Sequence, residues 1–329
     1  MRQHFMKLLL TSPVVIANSA DSRHKTLPSI CRHYPFVLRH RLVFGLSIIA
    51  ILAALCWADA NCARPGIFLV PLAITLCLLA THEMINILRA SGSNPLLGST
   101  YLGTLMPVLG ACVPTLWTTY PENCPLSKIG WLALGLAMGL LIAIIAEMRR
   151  FSEPGKTVAQ LAATGLSIFY VGGLLGFLIQ LRLLHDSSWG LAALLSVILT
   201  VKLSDTCQYT FGKLLGKHKL IPKLSPGKTW EGTLYGMTSA VIIAALLLCT
   251  ILGNLGTEQS FLKMILFCTL VAVAGIVGDL AESMLKRDVG FKDSSRWLPG
   301  LGGILDLLDS LLVAAPVGYF CWVAGLIGP

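Results

Sequence analysis

Apolar stretches of membrane-spanning length recur along this chain from about residue 43 onward, and they constrain its fold more than any other feature. Crossing about 30 Å of hydrocarbon takes about 20 apolar residues in a helix. Because backbone groups in lipid must be paired within their own segment, stretches rich in Leu, Ile, Ala and Val indicate helices. The sequence predicts an all-α integral membrane protein of about nine transmembrane helices, at residues 43–59, 67–89, 98–119, 129–147, 159–181, 189–203, 236–253, 262–280 and 305–327.

Composition agrees with the bilayer as the main solvent of this chain. Hydrophobic residues make up 55% and charged residues 12% of the sequence, whereas soluble proteins average about 25% charged residues. The net charge of +9 would suggest nucleic acid as the partner of a soluble protein. Here the same charge lies between apolar stretches, so we predict a lipid bilayer and no nucleic acid as the partner.

The distribution of basic residues predicts the orientation of the chain. With the N-terminus in the cytoplasm, 21 of the 25 Lys and Arg residues fall on cytoplasmic segments, as the positive-inside bias requires. An odd number of helices then places the C-terminal Pro329 on the outer side of the membrane. We expect this membrane to be an inner membrane. We expect a basic cytoplasmic leader at 1–42, six transmembrane helices at 43–203, and a catalytic region at 204–329 with helices seven to nine and two charged cytoplasmic loops.

The first charged loop, residues 204–235, is rich in lysine, proline and glycine. Its lysines would attract a polyphosphate, Gly227 permits close approach of the backbone, and Ser225 and Thr229 offer hydroxyl donors. The alternative is an ordinary cytoplasmic loop that is basic because of the positive-inside bias. The lysines of this loop are Lys213, Lys217, Lys219, Lys223 and Lys228.

The second charged loop and its flanks read GDLAESMLKRDVGFKDSSRWLPGLGGILDLLDS over residues 278–310. Four residues lie at helical spacing along one face of a helix that leaves the eighth span: Asp279, Glu282, Ser283 and Lys286. Asp306 and Asp309 repeat the i, i+3 spacing at the start of the ninth span. Carboxylates at membrane depth are costly and usually bind cations or line polar cavities.

Acidic helix ends joined by a basic loop predict a site for a metal ion and phosphate. Mg²⁺ takes one or two protein carboxylates together with phosphate oxygens, and basic side chains neutralise the remaining charge. The alternative is salt bridging at the membrane surface, which is an equally good account of Asp288 and Asp293. The basic residues of this loop are Lys286, Arg287, Lys292 and Arg296.

Three other carboxylates lie near the predicted inner ends of helices. Glu83 and Glu147 are expected to be solvated at the interface, with the lining of a shared cavity as the alternative. Asp205 follows the sixth span beside the lysine loop. It is either a ligand or the partner of Lys202 or Lys213.

In these two loops the sequence resembles the phosphatidate cytidylyltransferases, also called CDP-diacylglycerol synthases. The second loop is similar to the family signature, which combines S-x-x-K-R, K-D, P-x-x-G-G and paired aspartates; the other helices match by hydropathy alone. The resemblance implies a homodimeric membrane enzyme that uses CTP, phosphatidate and Mg²⁺. Mn²⁺ is an alternative metal, and a second cation is a further option. The active site would lie on the cytoplasmic side, where a lipid headgroup and a soluble nucleotide can meet.

The resemblance and the loop chemistry together assign the candidate site residues. Asp279, Asp306 and Asp309 are the expected metal ligands, and with Lys286 and Arg287 they form the expected catalytic group. The residues expected to bind the nucleotide and its phosphates are Ser225, Lys228, Thr229, Glu231, Ser283, Lys292 and Asp293.

Two positions depart from the family pattern. Family members usually have a His before the paired glycines and an Arg after the first aspartate, where this chain has Leu301 and Leu307. The expected reaction is transfer of CMP from CTP to phosphatidate, giving CDP-diacylglycerol and pyrophosphate in phospholipid biosynthesis. The alternatives are a CTP-dependent enzyme with another lipid acceptor (a polyprenyl or phytyl alcohol, or an ether lipid), an anion transporter, and an inactive homologue.

Overall fold

A computed structural model describes residues 34–62, 65–117, 120–121, 123–152, 154–256, 259–295 and 302–329, with side chains from residue 45 onward. Ten α-helices and one short hairpin account for most of these residues. The helices are α1 Tyr34–Ala60, α2 Leu69–Ala90, α3 Leu97–Cys112, α4 Ser127–Arg150, α5 Thr157–Ser167, α6 Leu174–Arg182, α7 Ser187–Leu215, α8 Trp230–Gly253, α9 Phe261–Asp288 and α10 Ile304–Val323. The hairpin consists of β1 Lys219–Ile221 and β2 Ser225–Thr229.

Eight helical segments within the described part of the chain are long and apolar enough to cross a membrane. One of them, Thr157–Arg182, joins α5 to α6 through a π-helical segment at Ile168–Gly173. The described apolar part of α1, Gly45–Ala60, is shorter. The prediction of an all-α membrane protein with about nine spans is therefore confirmed, while its orientation stays a prediction.

The helices extend beyond several of the predicted ends. α1 begins at Tyr34, inside the predicted leader, whose residues 1–33 lie outside the described residues. α7 continues to Leu215 and α9 to Asp288, so much of each predicted loop is helical. Hydropathy identifies only the portion of a helix that lies in hydrocarbon. The polar turns beyond it have the same helical hydrogen bonds, but hydropathy does not distinguish them from loops.

Glycines allow neighbouring helices to approach closely. A Cβ atom on Gly236 would lie 2.5 Å from the Cα atom of Gln208, and one on Gly232 would lie 2.6 Å from the Cα atom of Gly212, both on α7. Small residues at such contacts are typical of helices packed in membranes, where dispersion contacts replace the hydrophobic drive. The pairing of α7 with α8 fixes the hairpin between them against the end of the bundle.

A buried ion pair holds the end of the bundle remote from the charged loops. Arg182 Nε donates to Asp59 Oδ2 at 2.7 Å, and Asp59 also accepts hydrogen bonds from the backbone N–H groups of Gly66 and Phe68. Arg182 donates further to the carbonyl and hydroxyl oxygens of Ser187. This network joins the end of α1 to the connection between α6 and α7.

Candidate active site

The first charged loop is a structured hairpin and not an extended loop. β1 and β2 are antiparallel, with Lys219 opposite Thr229 and Ile221 opposite Ser225. Thr229 caps α8, because its hydroxyl accepts a hydrogen bond from the Gly232 N–H at 3.2 Å. The Thr229 hydroxyl is therefore used to cap α8, and its predicted role in binding the nucleotide stays a prediction.

Glu231 also holds the hairpin in place. Its carboxylate accepts hydrogen bonds from the backbone N–H groups of Lys217 and His218 and lies 2.5 Å from His218 Nδ1. These contacts attach the chain before β1 to the first turn of α8. The role of Glu231 in binding nucleotide stays a prediction. In this structure its carboxylate contacts only backbone and side-chain groups that hold the hairpin, among the described residues.

Lys228 connects the hairpin to the acidic face of α9. Its Nζ atom lies 2.7 Å from Asp279 Oδ2, and the two side chains keep 19% and 30% of their surface exposed. Arg287 makes a second connection, since its Nε donates to the carbonyl oxygen of Leu224 at 3.3 Å. Three side chains predicted from the two separate loops therefore lie at one end of the bundle.

Asp279 and Asp309 come together because α9 and α10 are in close contact beside them. A Cβ atom on Gly278 would lie 2.5 Å from the carbonyl oxygen of Asp309. The Asp309 carboxylate is within electrostatic range of Asp279 and of Asp205 on α7. Asp205 pairs with Lys202 at 3.6 Å, which is one of the two alternatives given for it. Three acidic side chains from three helices thus share one region.

Lys286 is the centre of a second group of charges. It is 7% exposed, and its Nζ atom lies 2.5 Å from Glu282 Oε2 and also contacts Asp306 Oδ1. Glu282 is fully buried, and its Oε1 atom receives no hydrogen bond from the described residues. An unpaired buried charge is costly, so Lys286 offsets the burial of two carboxylates.

Both oxygens of Asp306 are occupied by protein groups. Oδ1 contacts Lys286, and Oδ2 accepts from the Ser294 N–H at 2.9 Å, the Ser294 hydroxyl at 2.7 Å and the Gly303 N–H at 2.7 Å. Asp306 therefore holds Ser294 beside the first turn of α10. The prediction that Asp306 also binds the metal stays a prediction.

Glu83 on α2 is the site residue that sequence reasoning misplaced. It is 1% exposed and Glu147 is 4% exposed, so the expectation that these two carboxylates are solvated at the interface is wrong. It accepts hydrogen bonds from the hydroxyls of Ser294 and Ser295 and from the backbone N–H groups of Ile304 and Leu305. The signal available in the sequence was a carboxylate within an otherwise apolar helix.

Tyr170 in the π-helical segment is a second residue that the sequence did not indicate. Its hydroxyl is buried and has no hydrogen-bond partner among the described residues. It lies within electrostatic range of Glu282, Asp309 and Asp279. Local π-helical turns often occur at functional sites, and this one carries a buried polar group.

The remaining predicted residues are less tightly placed. Lys292 and Asp293 are exposed in the segment that follows α9. Ser283 donates a long hydrogen bond of 3.4 Å to Asp279 Oδ1, and Ser225 begins β2. The carbonyl oxygen of Leu307 accepts from Lys202, whereas Leu301 lies outside the described residues.

The carboxylates are chemically suited to a hard divalent cation. Within the described residues, no group of three His, Cys, Asp or Glu side chains could hold a metal. Mg²⁺ commonly needs only one or two carboxylates when substrate phosphates supply further ligands. Asp309 Oδ1 accepts a hydrogen bond from the Ser310 N–H. Asp279 is partly exposed beside it, so this pair fits Mg²⁺ better than Asp306 does.

Comparison with known proteins agrees with the resemblance in the two loops. The model of the family described as "Cytidylyltransferase family" matches residues 39–324. A phosphatidate cytidylyltransferase of Mycobacterium leprae is 30% identical over 304 residues, which cover 90% of this chain and 89% of that protein. A phosphatidate cytidylyltransferase of Haemophilus influenzae is 34% identical over 191 residues, or 58% of this chain and 65% of that protein.

Similarity also extends to a relative whose name states no activity. The uncharacterized protein YnbB of Escherichia coli is 40% identical over 131 residues, which cover 40% of this chain and 42% of that protein. The matched stretches thus span less than two thirds of the Haemophilus and Escherichia proteins and nearly the whole of the Mycobacterium protein.

Proposed function

The chain belongs to the cytidylyltransferase family, and from that premise we propose that it transfers CMP from CTP to phosphatidate. The products are CDP-diacylglycerol and pyrophosphate. The observation that carries this proposal is the contact of Lys228 on the hairpin with Asp279 on α9. It brings the phosphate-binding chemistry of one loop and the cation-binding chemistry of the other to the same end of the bundle.

The reaction requires no nucleophile from the protein. An anionic phosphate oxygen of phosphatidate attacks the α-phosphorus of CTP, the bond from that phosphorus to the bridging oxygen breaks, and pyrophosphate leaves with the bonding electrons. Catalysis then consists of in-line positioning and neutralisation of charge.

Three basic residues are suited to bind the phosphate groups. Lys228 and Arg287 lie where the hairpin contacts α9, and Lys292 is exposed in the segment that follows α9. The fourth predicted basic residue, Lys286, is held between Glu282 and Asp306. Mg²⁺, held by Asp279 and Asp309, would neutralise the triphosphate when bound. Lys228 can leave Asp279 for a phosphate because both side chains are partly exposed, whereas Lys286 keeps two buried partners.

We further propose that the site faces the cytoplasm at an inner membrane. The distribution of basic residues supports this orientation, and a site at the end of the bundle is accessible to both a lipid headgroup and a soluble nucleotide. The homodimer implied by the family resemblance stays a prediction.

The test is turnover by purified protein in phosphatidate-containing detergent micelles. We expect pyrophosphate release from CTP only when phosphatidate and Mg²⁺ are both present, with label from CTP recovered in the lipid fraction. Asp279→Asn, which removes a proposed metal ligand that is partly exposed, should abolish turnover while the protein still folds. Turnover with a polyprenyl alcohol, a phytyl alcohol or an ether lipid in place of phosphatidate would change the proposed acceptor. Solute accumulation in proteoliposomes without CTP turnover would contradict the enzyme proposal.

A further inference from the structure

Glu83 contributes a buried carboxylate from the N-terminal half of the chain to the loop between α9 and α10. The donor–acceptor distances are 2.8 Å from the Ser294 hydroxyl, 2.6 Å from the Ser295 hydroxyl, 3.0 Å from the Ile304 N–H and 2.8 Å from the Leu305 N–H. An ionised carboxylate accepts about four hydrogen bonds, and these donors provide four, of which the Ser294 hydroxyl is shared with Asp306. Two of these donors belong to the segment between α9 and α10, and two belong to the first turn of α10.

Two of these donors belong to the start of a helix. The N–H groups of Ile304 and Leu305 have no acceptor within α10, as in the first turn of any helix, and the positive end of the helix dipole favours an anion there. Gly303 lets the carboxylate come this close, because a Cβ atom at that position would lie 2.3 Å from Glu83 Oε2. Glu83 therefore fixes where α10 begins relative to α2.

Ser294 links Glu83 to Asp306. Its hydroxyl oxygen lies 2.8 Å from Glu83 Oε2 and 2.7 Å from Asp306 Oδ2. A hydroxyl carries one proton, so it donates to one carboxylate at a time and holds the two side chains beside each other. Asp306 in turn contacts Lys286, and Asp309 follows one turn later on α10. A displacement of Glu83 would be transmitted to each of these groups.

We propose that Glu83 is a positioning residue of the transferase site, which sets α10 so that Asp309 lies beside Asp279. This inference rests on the proposed function, because it assigns Glu83 a part in the same reaction. Glu83 acts through Ser294, Ser295 and the first turn of α10, and it is not assigned a contact with substrate. A site of this kind needs residues from both halves of the chain.

Glu83→Gln tests this role with almost no change in volume. The amide nitrogen would face N–H or hydroxyl donors where the carboxylate accepts hydrogen bonds, so α10 should shift. We expect kcat to fall at least tenfold and the Mg²⁺ concentration for half-maximal activity to rise severalfold. The reason is that Asp309 would be displaced from its position beside Asp279. A loss of stability alone would reduce the amount of active protein and leave the Mg²⁺ dependence of the remainder unchanged.

Glu147→Gln is the matched control. Glu147 is a 4% exposed carboxylate on α4, and its Oε1 atom lies 3.9 Å from Arg150 Nη1 of the same helix. The same substitution there should leave the Mg²⁺ dependence unchanged. Ser295→Ala removes one donor to Glu83 and should shift the Mg²⁺ dependence in the same direction by a smaller amount, including in the case where Glu83→Gln fails to fold.

Hydrogen exchange separates failure of this inference from failure of the proposed function. In Glu83→Gln, or in Ser295→Ala if the former does not fold, the amides of Ile304 and Leu305 should exchange faster than in the wild type and in Glu147→Gln. Unchanged exchange, or unchanged kcat and Mg²⁺ dependence in an active enzyme, would overturn the role of Glu83. A wild-type protein that leaves CTP and phosphatidate unreacted would overturn the proposed function. The exchange rates of Ile304 and Leu305 would then still show whether Glu83 holds the start of α10 in position.

Discussion

Two lysines in the site differ in how firmly they are held. Lys286 is enclosed with its acidic partners, and the Glu282 side chain is fully buried. Lys228 and Asp279 remain partly exposed, and solvent weakens their attraction. The buried lysine is therefore suited to holding the site together, and the exposed one to exchanging its aspartate for a phosphate of the nucleotide.

Replacing Lys228 should weaken nucleotide binding more than it weakens folding. A hydrogen bond to a charged group contributes about 1.5–3 kcal/mol, so Lys228→Met should raise KM for CTP by about ten- to a hundredfold. Steady-state kinetics at saturating phosphatidate measure this, and the melting temperature should change little because the ion pair is partly exposed. Lys219→Met, which removes an exposed lysine of the same hairpin, is the control.

Exchanging the two partners distinguishes a salt bridge from a metal ligand. The double variant Lys228→Asp, Asp279→Lys retains the opposite charges. It should stay inactive, because a lysine at 279 cannot bind Mg²⁺. Recovery of turnover in the double variant would show that Asp279 serves only as the partner of Lys228.

At the scale of elements, the contact between α9 and α10 determines which side chains meet. Helical spacing in the sequence was sufficient to place Asp279 and Lys286 on one face of α9 and Asp306 and Asp309 on α10. It could not show that Glu83 joins them, because that contact crosses more than 200 residues of sequence. Nor could spacing show that Thr229 and Glu231 are used by the hairpin, since capping depends on where the helix begins.

Gly278 should tolerate no side chain, because the backbone of α10 lies against it. The Cβ atom of Gly278→Ala would meet the Asp309 carbonyl oxygen at 2.5 Å, and the helices would have to move apart. We expect a loss of about 1–3 kcal/mol in stability. Turnover should fall by about a hundredfold as Asp309 moves from Asp279.

One turn earlier, Gly275 provides the matched control for this prediction. A Cβ atom there would meet Val201 at 3.4 Å, which is ordinary contact. Gly275→Ala should therefore retain near-normal melting and turnover in the same assays. Equal effects of the two substitutions would show that the close approach at Gly278 has no special importance for the site.

At the scale of the whole molecule, the two ends of the bundle use buried charge differently. One end gathers the carboxylates and lysines of the proposed site. The other contains the Asp59–Arg182 pair, in which the side chains are 0% and 3% exposed. Their further hydrogen bonds are to Gly66, Phe68 and Ser187, in the segments that connect the helices at this end. Removing one member of such a pair leaves an uncompensated buried charge.

Arg182→Met should consequently affect stability and spare the chemistry. We expect a loss of about 3–5 kcal/mol, seen as a lower melting temperature in detergent. The KM for CTP and the Mg²⁺ dependence of the folded fraction should match those of the wild type. A changed Mg²⁺ dependence would show that this end of the bundle is coupled to the site.

The orientation of the chain can be tested by thiol labelling in intact cells. In a cysteine-free background, Lys217→Cys lies beside the hairpin and Asn254→Cys lies between α8 and α9, and both positions are exposed. Because α8 separates them by one membrane crossing, a membrane-impermeant reagent should label only one of the two before permeabilisation. The excess of basic residues on the hairpin side predicts that this one is Asn254→Cys. Labelling of Lys217→Cys in intact cells would place the site outside, where CTP is absent, and would contradict both the orientation and the proposed reaction.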